Sequence, residues 1–231
     1  MTGSGKKPVF SREAAYVCGE LLLALGTAFM ERAGFGLSQV VAPAYLLHVK
    51  VSSVFPSFSF GRAEYCLQAL LLLLLALITR KPRKSYLFSF VTAFLYGLVL
   101  DGFLALTGGL GSTFPLRILD YCLGTLFCSA GVAFMFETYL TPAAYEFFVK
   151  EISQRFGFEE SRCKTAYDIA SLAVSVVLSF ALFGFGRFVG IGWGTALNAL
   201  INGTIIGCFS RLLRGNFTFE DRLPLRRFFA E

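Results

Sequence analysis

The stretch Ala69-Leu-Leu-Leu-Leu-Leu-Leu-Ala-Leu-Ile78 decides the fold class. It is apolar throughout and does not alternate. A strand of an outer-membrane barrel alternates apolar and polar residues over about ten positions, so this run excludes that architecture. In hydrocarbon each backbone N–H and C=O must find its partner within the segment, and a single non-alternating run does so only as a helix. The basic cluster Arg80-Lys-Pro-Arg-Lys84 follows it at once and marks the return to water.

Working outward, the same reading recurs. A crossing helix needs about twenty mostly apolar residues, and six stretches qualify: 14–33, 63–79, 85–106, 116–136, 165–183 and 190–212. The 231 residues are 55% hydrophobic and 16% charged, against roughly a quarter charged in soluble domains. The expected fold is therefore all-α, a polytopic membrane protein of about six transmembrane helices. Glu20 interrupts the first apolar stretch and no small-residue cleavage site follows closely, so this stretch reads as a retained span rather than a signal peptide.

Charge sets the orientation. With the N-terminus inside, all but five of the 21 Lys and Arg lie on the cytoplasmic side, the five being Arg32, Lys50, Arg62, Arg117 and Arg187. Cytoplasmic loops retain basic residues, so both termini are expected in the cytoplasm. The same asymmetry accounts for the net charge of +6 without nucleic acid, since no basic stripe interleaves with aromatics outside the spans.

Two connections are more than loops. Segment 34–60 carries Pro43 and Pro56 within a mixed apolar stretch, and 141–156 reads as an amphipathic helix with Tyr145, Phe148, Val149 and Ile152 on one face. Either lying on the membrane or dipping into it fits their hydropathy.

The chain also resembles itself at an offset of roughly one hundred residues. Gly26-Thr-Ala-Phe-Met30 returns as Gly131-Val-Ala-Phe-Met135, Pro43-Ala-Tyr45 as Pro142-Ala-Ala-Tyr145, Tyr65 as Tyr167, and Asp101-Gly102 as Asn202-Gly203. This divides the chain into a first three-helix repeat (1–110), a second (111–215) and a tail (216–231). Three crossings per unit is an odd number, so the second unit is inverted relative to the first. Inverted repeats are a recurring plan of secondary transporters; the plainer alternative is a compact bundle that transports nothing.

Polar groups within spans are costly, and they nominate the site. Asp101 is the deepest acid, its counterpart Asn202 lies near mid-depth, and Asn198 shares a helix face with Asn202. These three are the expected central substrate-binding set, or else an interhelical clamp. Glu20 inside the first span and the i, i+4 pair Glu64/Gln68 in the second complete the candidates, with Arg62 as the nearest base to Glu64. Glu31 and Arg32, adjacent at the outer end of the first span, read as interfacial, and Asp120 as a boundary charge or part of an ion pair. His48 is the only histidine, and the six cysteines form no C-x-x-C pair, so no metal and no cofactor is expected.

Finally, Ser59-Phe-Gly-Arg-Ala-Glu-Tyr-Cys-Leu-Gln68, Tyr86-Leu-Phe-Ser-Phe-Val-Thr-Ala93, Lys164-Thr-Ala-Tyr-Asp168 and Gly190-Ile-Gly-Trp-Gly-Thr195 with Asn202-Gly203 carry a resemblance to the YczE/YitT-like family of bacterial multi-spanning membrane proteins, over nearly the whole length. The resemblance implies a bacterial cytoplasmic-membrane location and supports six spans. It implies no substrate and no catalytic residue. Two functions compete. One is a small secondary transporter or permease for an unidentified small solute. The other is a non-transporting partner or substrate-binding subunit of a larger complex, or a homo-oligomer, docking through 141–156 and the basic tail. Nothing converges as an enzyme's acid, base or nucleophile would.

Overall fold

The computed structural model describes residues 7–80, 84–109, 111, 113–140, 144–158 and 160–223. A short strand β1 (Val9–Ser11) leads into α1 (Arg12–Ala33), where the Ser11 hydroxyl accepts the Ala14 N–H at 3.0 Å. That bond satisfies one of the donors every helix start leaves open. Gly34, at φ 65°, closes the helix in the left-handed conformation that glycine adopts without strain. There follow α2 (Ala42–Ser52), α3 (Phe60–Thr79), α4 (Lys84–Thr107), α5 (Phe114–Met135), α6 (Ala144–Phe156), α7 (Glu160–Phe183) and α8 (Trp193–Asn216). The strand β2 (Thr218–Glu220) then pairs in parallel with β1.

Six of these helices, all but α2 and α6, are long and apolar enough to cross a membrane among the described residues. The protein is thus a multi-pass membrane protein by helix length and composition. The six expected spans correspond to these helices one for one, and the two irregular connections contain the two short helices. Pro142 and the basic cluster at 81–83 lie outside the described residues.

Helices α1 and α5 form the central pair. They run antiparallel, and their backbones nearly touch. A Cβ on Gly26 would meet the Gly124 carbonyl oxygen at 2.7 Å, and one on Gly131 would meet that of Gly19 at 2.9 Å. Small residues permit such approach, and in lipid close packing replaces the hydrophobic drive that water supplies. Around this pair α4 packs on α1, and α8 on α5. Helix α3 lies on α4, α2 and α6, while α7 lies on α2 and α6. The core gathers Ala24, Ala28, Met30, Phe60, Tyr96 and Leu100 from α1, α3 and α4.

The segment after α8 is not a free tail in its described part. Besides the β1–β2 pairing, Glu13 accepts the Leu223 N–H at 2.9 Å and the Tyr139 hydroxyl at 2.6 Å. Burial, and after it the bond to Glu13, pushes the Tyr139 hydroxyl up to about 12.

Candidate functional site

The short helices do not lie on the surface of the bundle. Helix α6 starts beside Gln68, near the middle of α3, where the Ala144 N–H donates to Gln68 Oε1 at 3.1 Å. From there it runs toward the end of α3, and Phe147 packs with Leu72, Leu75 and Tyr86. Tyr86 in turn bonds Thr79, the last residue of α3, at 3.0 Å. Helix α2 repeats this placement against α7. Gln39, just before α2, accepts the hydroxyl of Ser171 at 2.9 Å near the middle of α7. At the other end Lys50 Nζ sits 6.0 Å from the ring of Phe183, the last residue of α7. Each short helix therefore begins at mid-span depth and rises to one end.

A fully buried polar cluster sits at the start of α6. Glu64 is 0% exposed and Gln68 1%. Glu64 Oε1 accepts the Tyr145 hydroxyl at 2.7 Å and the Gln68 amide at 3.4 Å. Tyr145 stands 6.4 Å from Tyr167, ring to ring. On the far side Tyr96, whose hydroxyl pairs with that of Thr27 at 2.9 Å, is within electrostatic reach of both Glu64 and Glu20. Glu20 is itself buried. Three of the six sequence candidates thus converge from α1 and α3 on one interior region. Arg62 does not neutralise Glu64, for its guanidinium donates to the Ser57 carbonyl at 2.6 Å.

The other three do not join that region through their bonds. Asp101 accepts the Ser59 hydroxyl at 2.5 Å and the Gly61 N–H at 2.8 Å. It caps the start of α3 from the neighbouring helix. Asn198 donates to Met30 Sδ at 3.6 Å, and Asn202 Oδ1 accepts the Ser129 hydroxyl at 2.7 Å. The pair clamps α8 to α1 and α5. A model describing a family of unknown function, DUF6198, matches residues 10–211. The chain belongs to this family. No curated protein and no solved structure matches the chain.

All six candidates fall inside the segment shared with the DUF6198 model. Among the described residues no three His, Cys, Asp or Glu side chains converge as metal ligands would. Two features of this DUF6198 chain escaped the sequence reading. One is Tyr145, the donor that meets Glu64, although its spacing marks it only as an apolar-face residue. The other is the identity of the ion-pair partner of Asp120, which is Arg32: its guanidinium grips the carboxylate at 2.7 and 2.5 Å.

The capping role of Asp101 is testable on its own. Asp101→Ala removes acceptors from a helix start, and loss of a cap costs about 0.5–2 kcal/mol. The variant is expected to melt a few degrees lower in detergent. An unchanged melting temperature would show that Asp101 does not cap α3.

Proposed function

We propose that this protein is a small secondary transporter or permease for a small solute, with Glu64, Gln68, Tyr145 and Glu20 at its centre. One observation carries the reading: the short helix of each half begins at mid-span against the third-placed helix of the other half, α6 on α3 and α2 on α7. The order long, short, long, long occurs twice along the chain. Helix pairings also recur within each half, α1 with α4 as α5 with α8, and α2 with α3 as α6 with α7. An odd number of crossings per unit supports inverted repeats facing opposite sides. Each short helix points its N-terminal, partially positive end at the bilayer midplane, as in transporters that hold solute at broken helices.

In this reading Tyr145 and the Ala144 N–H move with α6, while Glu64 and Gln68 stay on α3. Displacing α6 exposes a carboxyl and an amide to one side, and displacing α2 opens the other. The protein catalyses no bond chemistry and sits in a bacterial cytoplasmic membrane with both ends inside, as the distribution of Lys and Arg and the YczE/YitT-like motifs support.

The test is solute flux into proteoliposomes, followed by light scattering with urea, glycerol and methylammonium. Wild-type protein is expected to exceed empty liposomes for at least one solute. Glu64→Gln and Tyr145→Phe are each expected to lower that flux by about tenfold or more. Flux equal to empty liposomes for every solute counts against the permease.

The second reading is a membrane partner or homo-oligomer subunit, and the lipid-facing helices favour it. Only 17% of the apolar window of α7 and 11% of that of α8 is buried within the chain. Crosslinking in native membranes that captures neither a second copy nor another protein would count against it.

A further inference from the structure

A second polar pocket lies apart from the Glu64 cluster, where the end of α1, the start of α2 and the loop before α8 meet. Its volume is about 160 Å³, well above the roughly 10–15 Å³ that one water needs. Among the described residues Glu31 is the one charged side chain that lines it. The Tyr45 hydroxyl, also in the lining, donates to Glu31 Oε1 at 3.3 Å, near the long limit of a hydrogen bond. Gly34, Gly36 and Gly190 wall the pocket at positive φ, a backbone conformation that a side chain would strain. A Cβ on Gly190 would also meet the Tyr45 ring at 2.6 Å.

The bases around the pocket are each bound to groups other than Glu31. Arg32 is matched by Asp120 at 2.5 Å. Arg117 donates to the Ala33 carbonyl at 2.7 Å and stacks 4.8 Å over Phe35. His48 holds the Phe58 carbonyl at 2.8 Å through Nδ1. The C-terminal end of α1, beside Glu31, adds partial negative charge. Divalent metals are poorly served, since calcium takes six to eight oxygens and magnesium an octahedron. The apolar remainder of the wall, Met30, Leu37 and Ile191 among it, suits a short alkyl group, and Tyr45 and Phe188 add aromatic faces to which ammonium ions are attracted.

We infer that the Glu31–Tyr45 pocket binds a small alkylammonium ion, with Glu31 as counter-ion and Tyr45 as its positioning residue. The site stands whether or not the chain transports, so its test is binding rather than flux. Purified full-length protein in detergent is titrated with methylammonium chloride and followed by calorimetry, with sodium chloride and sodium acetate in parallel. Saturable methylammonium binding is expected, with Glu31→Gln weakening it by about tenfold at an unchanged melting temperature. Ile191→Trp, which fills the pocket and leaves the carboxylate, is expected to abolish it, and this arm holds even if Glu31→Gln misfolds. Binding that survives both variants overturns the assignment. So does a sodium response equal to that of methylammonium, or no binding at all.

Discussion

Arg32→Ala is expected to destabilise the protein by about 3–5 kcal/mol, the usual loss when one partner of a buried ion pair is removed. The pair joins the last turn of α1 to the first turns of α5, and Arg32 Nη1 also reaches the Thr107 carbonyl at 3.4 Å, at the end of α4. Three helices therefore meet on one guanidinium. The side chains are 12% and 3% exposed, so neither water nor salt screens them as it would a surface pair. Without Arg32, Asp120 keeps a buried charge with its main partner gone. Arg32→Lys is expected to recover only part of the loss, because an ammonium cannot form the two parallel bonds. Asp120→Ala should cost a similar amount, and the double variant less than the sum of the two, since both break the same contact. Thermal unfolding in detergent reads all four. A double variant no more stable than the sum predicts would show that the pair is not coupled.

The same pair shows where sequence reading reached and where it stopped. Crossing a bilayer depends on length and hydropathy alone, so the leucine run at 69–78 and its five counterparts were legible as helices. Both properties belong to the segment itself. Depth is not local. Whether α6 floats on the surface or enters the bundle depends on Gln68 meeting Ala144, 76 residues away, and an amphipathic pattern is compatible with both. Arg32 and Asp120 are 88 residues apart, and neither position alone names its partner. Asp101 and Asn202, aligned by the sequence comparison, each accept a serine hydroxyl. Asp101 also takes the Gly61 N–H at the start of α3, whereas the hydroxyl that Asn202 meets lies within α5. The i, i+4 pair Glu64/Gln68 was legible because its spacing is itself the contact. Tyr145 was not, because a tyrosine on an apolar face hides its hydroxyl from any periodicity.

Gly61→Val is the other large effect, and its control lies on the neighbouring helix. The Gly61 and Gly97 backbones touch where α3 crosses α4, and a Cβ on Gly97 would meet the Gly61 carbonyl oxygen at 2.5 Å. A Cβ on Gly61 would strike the Gly97 carbonyl closer still, and Asp101 Cγ at 2.8 Å. The obstacle is backbone, not the tip of a flexible side chain, so no rotamer change relieves it. The helices must separate, and the Asp101–Gly61 cap opens with them. Overpacking costs about 1–3 kcal/mol and occasionally more; with the cap added, Gly61→Val is expected at or above the top of that range. Gly102 on α4 has nothing within 4 Å of its would-be Cβ. There Gly102→Ala removes only a flexible residue from a helix, and is expected to raise stability by up to about 1 kcal/mol. Added bulk at two glycines at the α3–α4 end of the bundle should thus shift the melting temperature in opposite directions. Equal shifts would mean that α3 and α4 do not approach as closely as their backbones here require.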